Sequence, residues 1–172
     1  MTTHCWGVDP GFASSPTGVA LVRFDGLTPT LVDVWTVRAR GREWQARIDD
    51  VLGQLLALIS PRVPVLAPRG PVLLSYELSY IGKNAQSALH LAQLGGGVRG
   101  VALALGLRVV AVQPSESKLA LAGRGGATKQ EMIDKARQVF GPGLSEHESD
   151  ACGHAMAGEA KVRRQAVERK AT

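Results

Sequence analysis

Cysteine, aromatic residues and long apolar runs are all scarce in this sequence. Its 172 residues include only two cysteines, Cys5 and Cys152, which lie far apart in the chain. Two cysteines so far apart in the chain predict neither a disulfide framework nor a zinc site. No apolar run approaches the roughly 20 residues that a membrane span needs, and the N-terminus lacks a secretory signal pattern. We therefore expect a cytoplasmic protein that interacts with no membrane.

The composition is that of a globular protein with a basic surface. Apolar residues make up 45% of the chain and charged residues 20%, a balance that excludes a disordered protein. Lys and Arg outnumber Asp and Glu by 20 to 15, which leaves a net charge of +5. This length suits one domain over residues 1–172. The positive charge favours a polyanionic partner, with nucleic acid first.

The order of apolar segments predicts a mixed α/β domain. Short runs rich in β-branched residues predict strands over 5–8, 18–24, 30–37, 72–76 and 108–112. Apolar residues at three- and four-residue intervals predict helices over 42–59, 84–94 and 98–105. A further helix begins at Pro114. The capping-box pairs Thr128 with Glu131 and Ser145 with Glu148 begin two more, and the last is a basic helix over about 145–170. We expect a five-stranded sheet, three antiparallel strands followed by two parallel ones, flanked by helices.

Three acidic residues and one histidine come at positions where metal chemistry is plausible. Asp9 ends the first strand and Glu77 ends the fourth, while His147 and Asp150 share a face at the start of the last helix. Each position also has an ordinary explanation: a common Asp-Pro-Gly turn, a strand that reaches solvent, or a helix dipole. Together, however, three carboxylates and an imidazole suit two divalent ions that cleave a phosphodiester.

These residues belong to a longer set of motifs. The set runs over about residues 4–160 and comprises Gly7-Val8-Asp9-Pro10-Gly11, Thr17-Gly18, Tyr76-Glu77, Lys83-Asn84-Ala85-Gln86-Ser87-Ala88-Leu89, Lys118 with Leu121-Ala122-Gly123, Lys129, and His147 with Asp150. The set resembles RuvC-type Holliday-junction resolvases, and the stretch 83–89 is its most specific part. Two segments, 12–16 and 61–70, are longer than is usual in that family. The four prolines of 61–71 predict a loop there.

The resemblance implies a fold, a reaction and a site. It implies an RNase H-like homodimer that cuts four-way DNA junctions in recombination and repair, with two Mg²⁺ or Mn²⁺ ions, and leaves 5′ phosphates. It also leaves open a branch-migration motor as a partner. Asp9, Glu77, His147 and Asp150 would then be the catalytic metal-site residues, since members of the family carry either Asp or His at the place of His147.

Candidate DNA contacts cluster near these residues. Lys118 and Lys129 flank a glycine-rich loop that carries Arg124. Exposed backbone amides of glycines together with cationic side chains are well suited to bind phosphate groups. Tyr80 follows Glu77 closely enough to stack on an unpaired base, and the resemblance adds Lys83 and Asn84. The other histidines, His4, His90 and His154, have no partners at metal-binding spacing and are interpreted as structural or surface residues.

Other functions remain open at this point. The Gly7-x-Asp9-x-Gly11 turn also occurs in actin-like ATPases, but those need two such domains around a nucleotide. A nuclease with broader branched-DNA specificity and a non-catalytic junction-binding protein are the closer alternatives. Metal-dependent cleavage separates the last of these from an enzyme.

Overall fold

A computed structural model describes residues 2–11, 15–78 and 85–169 of the chain. The strands are β1 (Thr2–Asp9), β2 (Thr17–Asp25), β3 (Thr28–Val37), β4 (Val72–Glu77) and β5 (Arg108–Val112). The helices are α1 (Trp44–Ile59), α2 (Val63–Leu66), α3 (Ala85–Ala104), α4 (Pro114–Ala122), α5 (Lys129–Phe140) and α6 (Glu146–Glu168). The predicted order of strands and helices is confirmed, with α2 as an addition and α3 in place of two helical segments.

The five strands form one sheet in the order β3-β2-β1-β4-β5. β1, β2 and β3 pair antiparallel, whereas β4 runs parallel to β1 and β5 parallel to β4. The predicted mixed sheet is therefore confirmed. Its register pairs Val8 with Tyr76, so Asp9 and Glu77 follow at the same end of two adjacent central strands.

Helices cover both faces of the sheet. On one face, α1 and α3 pack Ile48, Leu55 and Val98 against Trp6 and Leu74. On the other face, α4, α5 and α6 enclose a second cluster that includes Leu121, Met132, Ala151, Cys5 and Leu73. Both cysteines are buried and free. Among the described residues, the helical stretch Trp44–Arg69 has the length and apolarity of a membrane span, and four side chains of α1 are buried in the first cluster.

One local prediction is wrong, and another is extended by the structure. The proline-rich stretch 61–71 was expected to be a loop, but it contains α2 and a short 3₁₀ turn, Ala67–Arg69. Pro64 and Pro68 lie in the first turns of these helices, where proline costs no hydrogen bond.

The helical pattern of the sequence covers 84–94 and 98–105 but not the three glycines between them, and α3 continues through these glycines. Gly97 explains part of this continuity, because a Cβ there would stand 2.4 Å from a methyl carbon of Leu52 in α1. The missing side chain lets the two helices approach closely, and this packing outweighs the poor helix propensity of glycine.

Candidate active site

Two glycines allow α6 to lie directly on the central strands. A Cβ on Gly7 of β1 would stand 1.9 Å from the carbonyl oxygen of Ala151, and one on Gly18 of β2 would stand 2.0 Å from that of His147. Both contacts are to helix backbone, which cannot move aside as a side chain can. The glycines therefore set the distance between α6 and the end of β1 where Asp9 lies.

The start of α6 is held by local hydrogen bonds. The Ser145 hydroxyl accepts from the backbone of Glu148, and the Glu148 carboxylate accepts from the backbone of Ser145, so the predicted capping box is confirmed. Thr36 at the end of β3 donates to Glu148 at 2.8 Å. The first turn of α6, which carries His147 and Asp150, is thus fixed to the same end of the sheet as Asp9.

Asp9 and two histidines of α6 form the centre of the site. Nδ1 of His147 lies 2.8 Å from Oδ2 of Asp9. Nε2 of His154 lies 3.8 Å from Oδ1 of Asp9 and 3.5 Å from Oε2 of Glu77. The structure therefore brings together Asp9, Glu77 and His147 from the predicted set and adds His154.

Burial and charge change the acidities of these groups. Burial would raise the pKa of Asp9, but the hydrogen bond with His147 and the nearby His154 hold it below its ordinary value. Burial raises the pKa of Glu77, with the charge of Asp9 acting in the same direction. Burial and the charge of Asp9 raise the pKa of Asp150 to about 6. The hydrogen bond between His147 and Asp9 raises the pKa of His147.

The donor atoms fit a divalent cation. One ligand atom from each of Asp9, Glu77 and His154 lies within 4.8 Å of the others. Carboxylate oxygens suit Mg²⁺ and Mn²⁺. Both ring nitrogens of His154 are buried without a hydrogen-bond partner, which is costly unless something else satisfies them. A cation between the carboxylates would satisfy Nε2, the nitrogen that faces them.

The site opens into a cavity of about 500 Å³. Its walls include the side chains of Asp9, Glu77, His147, Asp150, Lys129 and Glu146. All four predicted catalytic residues therefore face one space that is large enough for part of a substrate. Asp150 lines this cavity but lies outside the tight group of three donors.

The predicted basic residues differ in their surroundings. Lys129 lies at the cavity, where it pairs with Glu146 and stays 75% exposed. The charge of Lys118 acts to lower the pKa of Glu77, against the larger effect of burial. Arg124 pairs with Glu131 at the start of α5. Tyr80, Lys83 and Asn84 lie outside the residues that the structure describes.

The sequence interpretation missed His154. It is fully buried, and its imidazole is directed at Asp9 and Glu77. Its signal was the spacing: His147, Asp150 and His154 are three and four residues apart, which places all three on one helix face. Spacing to other histidines and cysteines, the criterion that excluded it, does not detect partners on distant strands.

Fold and site together define a class, the nucleases that gather carboxylates at the end of the central strands of an RNase H-like sheet. The family model of the crossover junction endodeoxyribonuclease RuvC matches residues 5–157. A relative from Chlorobium phaeobacteroides with that name is 31% identical over 169 residues, covering 96% of this chain and 86% of its own. One from Anaeromyxobacter dehalogenans is 35% identical over 152 residues, covering 87% and 77%.

Solved structures agree with this assignment. Thermus thermophilus RuvC superimposes with a TM-score of 0.74 at 22% identity, covering 96% of this chain and 97% of that one. The same protein in complex with a Holliday junction substrate gives 0.73 at 25% identity, with 96% of both chains covered. The chain belongs to the RuvC family of crossover junction endodeoxyribonucleases. The predicted fold, family and enzyme class are confirmed.

Proposed function

We propose that this protein resolves four-way DNA junctions by metal-dependent nicking at the cavity that holds Asp9 and Glu77. The observation that carries the proposal is the meeting of these carboxylates at the ends of two adjacent strands, beside His147 and Asp150. Their chemistry suits Mg²⁺ or Mn²⁺, and we expect two ions in the site. When bound, such ions supply positive charge at the scissile phosphate and lower the pKa of water.

The chain's own residues hold and orient this chemistry. The hydrogen bond from His147 fixes one oxygen of Asp9 and leaves the other directed towards Glu77 and His154. Asp9, Glu77, His147 and Asp150 form the proposed ligand set. Lys129 can exchange its ion pair with Glu146 for a phosphate oxygen, because its side chain is largely exposed. Lys118, whose charge acts on Glu77, would offset negative charge there.

A second group of cations supports a DNA substrate. Arg38, Arg40 and Arg42 follow β3 at the same end of the sheet as Asp9, and all three are exposed. Two strand spacings, about 10 Å, separate β3 from β1. Within residues 2–11, 15–78 and 85–169, no acidic side chain pairs with these guanidinium groups. They are available for phosphates on the side of the site away from Lys129.

The backbone of this arginine segment is held in place. The amide of Arg40 donates to Asp50 at 2.8 Å, and the Gln54 side chain donates to the carbonyl of Arg38 at 3.1 Å. Gln54 also donates to Asp50, which joins the two contacts. A segment ordered in this way presents its charges with little further loss of conformational entropy when DNA binds.

We also propose a homodimer formed through α3. Leu89 and Leu103 are 56% and 54% exposed, and Gly96 and Gly100 lie between them on the same helix face. This apolar stripe with small residues at its centre suits close packing against a second copy. Two copies would present two sites to two strands of one junction. We further propose that residues 1–172 form a single domain and that the protein is cytoplasmic. The family resemblance also predicts a branch-migration motor as a partner.

Cleavage of a substrate panel tests the function. End-labelled four-way junction, three-way junction, flap, duplex and RNA–DNA hybrid are incubated with Mg²⁺ or Mn²⁺. We expect paired symmetrical nicks on the four-way junction and little cleavage of the duplex. Equal cleavage of flaps and three-way junctions would indicate the broader branched-DNA nuclease instead. Tight junction binding without any cleavage would indicate a non-catalytic binding protein.

A further inference from the structure

A buried histidine one turn beyond Asp150 has no partner of its own. The side chain of His154 is fully buried, and neither ring nitrogen makes a hydrogen bond. An imidazole buried in this way loses its hydrogen bonds to water without replacement, which destabilises the folded protein. The position therefore needs a compensating interaction.

The surroundings of the ring indicate what that interaction is. Nε2 faces two carboxylates that come from different strands, Glu77 at 3.5 Å and Asp9 at 3.8 Å. These separations are longer than the 2.7–3.2 Å of ordinary N–H···O hydrogen bonds. All three donor atoms lie within 4.8 Å of one another, the arrangement of ligands around a shared cation.

The packing of α6 keeps the ring in this place. Gly7 lets Ala151 and Ala155 lie against β1, and His154 lies between these two small residues in the sequence. The contact is backbone to backbone, so the helix cannot rotate the imidazole away from Asp9 and Glu77 without losing it. The packing of α6 therefore holds the ring beside the two carboxylates before any ligand binds.

We propose that His154 is a nitrogen ligand of the metal site, alongside Asp9 and Glu77. The set of donors then mixes imidazole nitrogen with carboxylate oxygen. Mn²⁺ accepts such a set more readily than Mg²⁺, which prefers oxygen ligands. This inference rests on the metal site proposed above, but it concerns which atoms bind the ion and not whether DNA is cut.

Electron spin-echo envelope modulation (ESEEM) spectroscopy of protein-bound Mn²⁺ tests directly whether the His154 imidazole binds the ion. The His147→Asp variant leaves His154 in place and removes the other imidazole of the site. His4 lies at the opposite end of β1, and His90 stacks on Trp44. We expect a ¹⁴N coupling from a directly bound imidazole in this variant. Bound Mn²⁺ without that coupling would overturn the proposal and leave the carboxylate site intact. No Mn²⁺ binding at all would overturn both.

A second variant connects the coupling to His154. Replacing it as well, in His147→Asp/His154→Leu, should abolish the ¹⁴N signal, and His154→Leu alone should weaken Mn²⁺ binding at least ten-fold while changing Mg²⁺ binding less. His4→Leu is the matched control, because His4 is also buried with an unpartnered ring nitrogen. Its affinities should equal those of the wild type. Equal losses for both metals in His154→Leu would mean that the ring only supports the carboxylates.

Discussion

The backbone of Gly18 in β2 lies against the carbonyl group of His147, so that a Cβ at position 18 would stand 2.0 Å from the oxygen. Because Gly18 also pairs with Asp9 in the sheet, one glycine joins the two halves of the site. This contact gives a structural reason for the glycine of the Thr17-Gly18 motif. It allows the first turn of α6 to reach the end of β1.

Gly18→Ala should displace this turn and disturb the hydrogen bond between His147 and Asp9. Overpacking of this kind costs about 1–3 kcal/mol, and we expect a lower melting temperature together with a larger loss of cleavage. Gly53→Ala in α1 is the control, since nothing lies within 4 Å of its missing Cβ. It should keep full cleavage and gain slightly in stability. Normal cleavage by Gly18→Ala would show that the close contact does not position His147.

The Asp150 carboxyl predicts a pH-dependent cost of folding. In the folded protein its pKa is about 6, against an ordinary value of 3.8. The folded state therefore retains the proton longer, and this group's contribution to stability falls as the pH rises from about 4 through 6. Asp150→Asn should remove this dependence. In EDTA it should melt higher than the wild type at pH 8, with a smaller difference at pH 4.

Melting curves at the two pH values check this directly, and Asp134→Asn on the surface of α5 provides the control. The same Asp150→Asn change should abolish cleavage, because a neutral amide is a poorer metal ligand. The Asp150 carboxylate is therefore expected to lower the stability of the folded protein while it is needed for cleavage. A variant that melts lower than the wild type at pH 8 would mean that Asp150 is stabilised by contacts that outweigh its burial.

His147 should control how cleavage depends on pH and metal. Its hydrogen bond with Asp9 raises the pKa of His147, so the ring retains its proton to higher pH than an exposed histidine. An imidazole must be neutral to bind a metal. The cleavage rate should therefore fall as the pH drops towards and below 7. In His147→Asp this fall should begin at lower pH, and the preference for Mn²⁺ over Mg²⁺ should be smaller.

The alternative role for His147 is proton transfer from the attacking water. In that case His147→Asp would lower the rate equally in Mn²⁺ and Mg²⁺. Profiles of rate against pH, measured for both proteins in both metals, separate the two roles. An unchanged metal preference in the variant would exclude His147 as a ligand.

The arginine segment after β3 should contribute to DNA affinity through phosphates. Arg40→Gln/Arg42→Gln should weaken junction binding, and the slope of log affinity against log salt should shrink by about two units. The rate at saturating DNA should stay unchanged, because these side chains lie outside the cavity. Arg69→Gln/Arg164→Gln removes the same charge elsewhere and should change the slope little. Equal slopes in the two double variants would leave the segment without a specific role.

Most of the architecture was predictable from local patterns. The strand periodicity and the capping boxes at Thr128 and Ser145 each depend on residues close in sequence, and both appear in the structure. The continuous α3 was not predictable, because the contact between Gly97 and Leu52 joins helices that are distant in sequence. His154 was missed for the same reason. The carboxylates that its ring faces come from β1 and β4.

The central claim is that the carboxylates at the ends of β1 and β4 carry out cleavage and are not needed for DNA binding. The most direct measurement compares wild type, Asp9→Asn and Glu77→Gln on one labelled four-way junction, with cleavage and affinity determined under the same Mn²⁺ conditions. The account predicts paired nicks for the wild type, none for either variant, and junction affinity that is unchanged or tighter in both. Cleavage by either variant at the wild-type rate, or loss of binding in parallel with loss of cleavage, would contradict it.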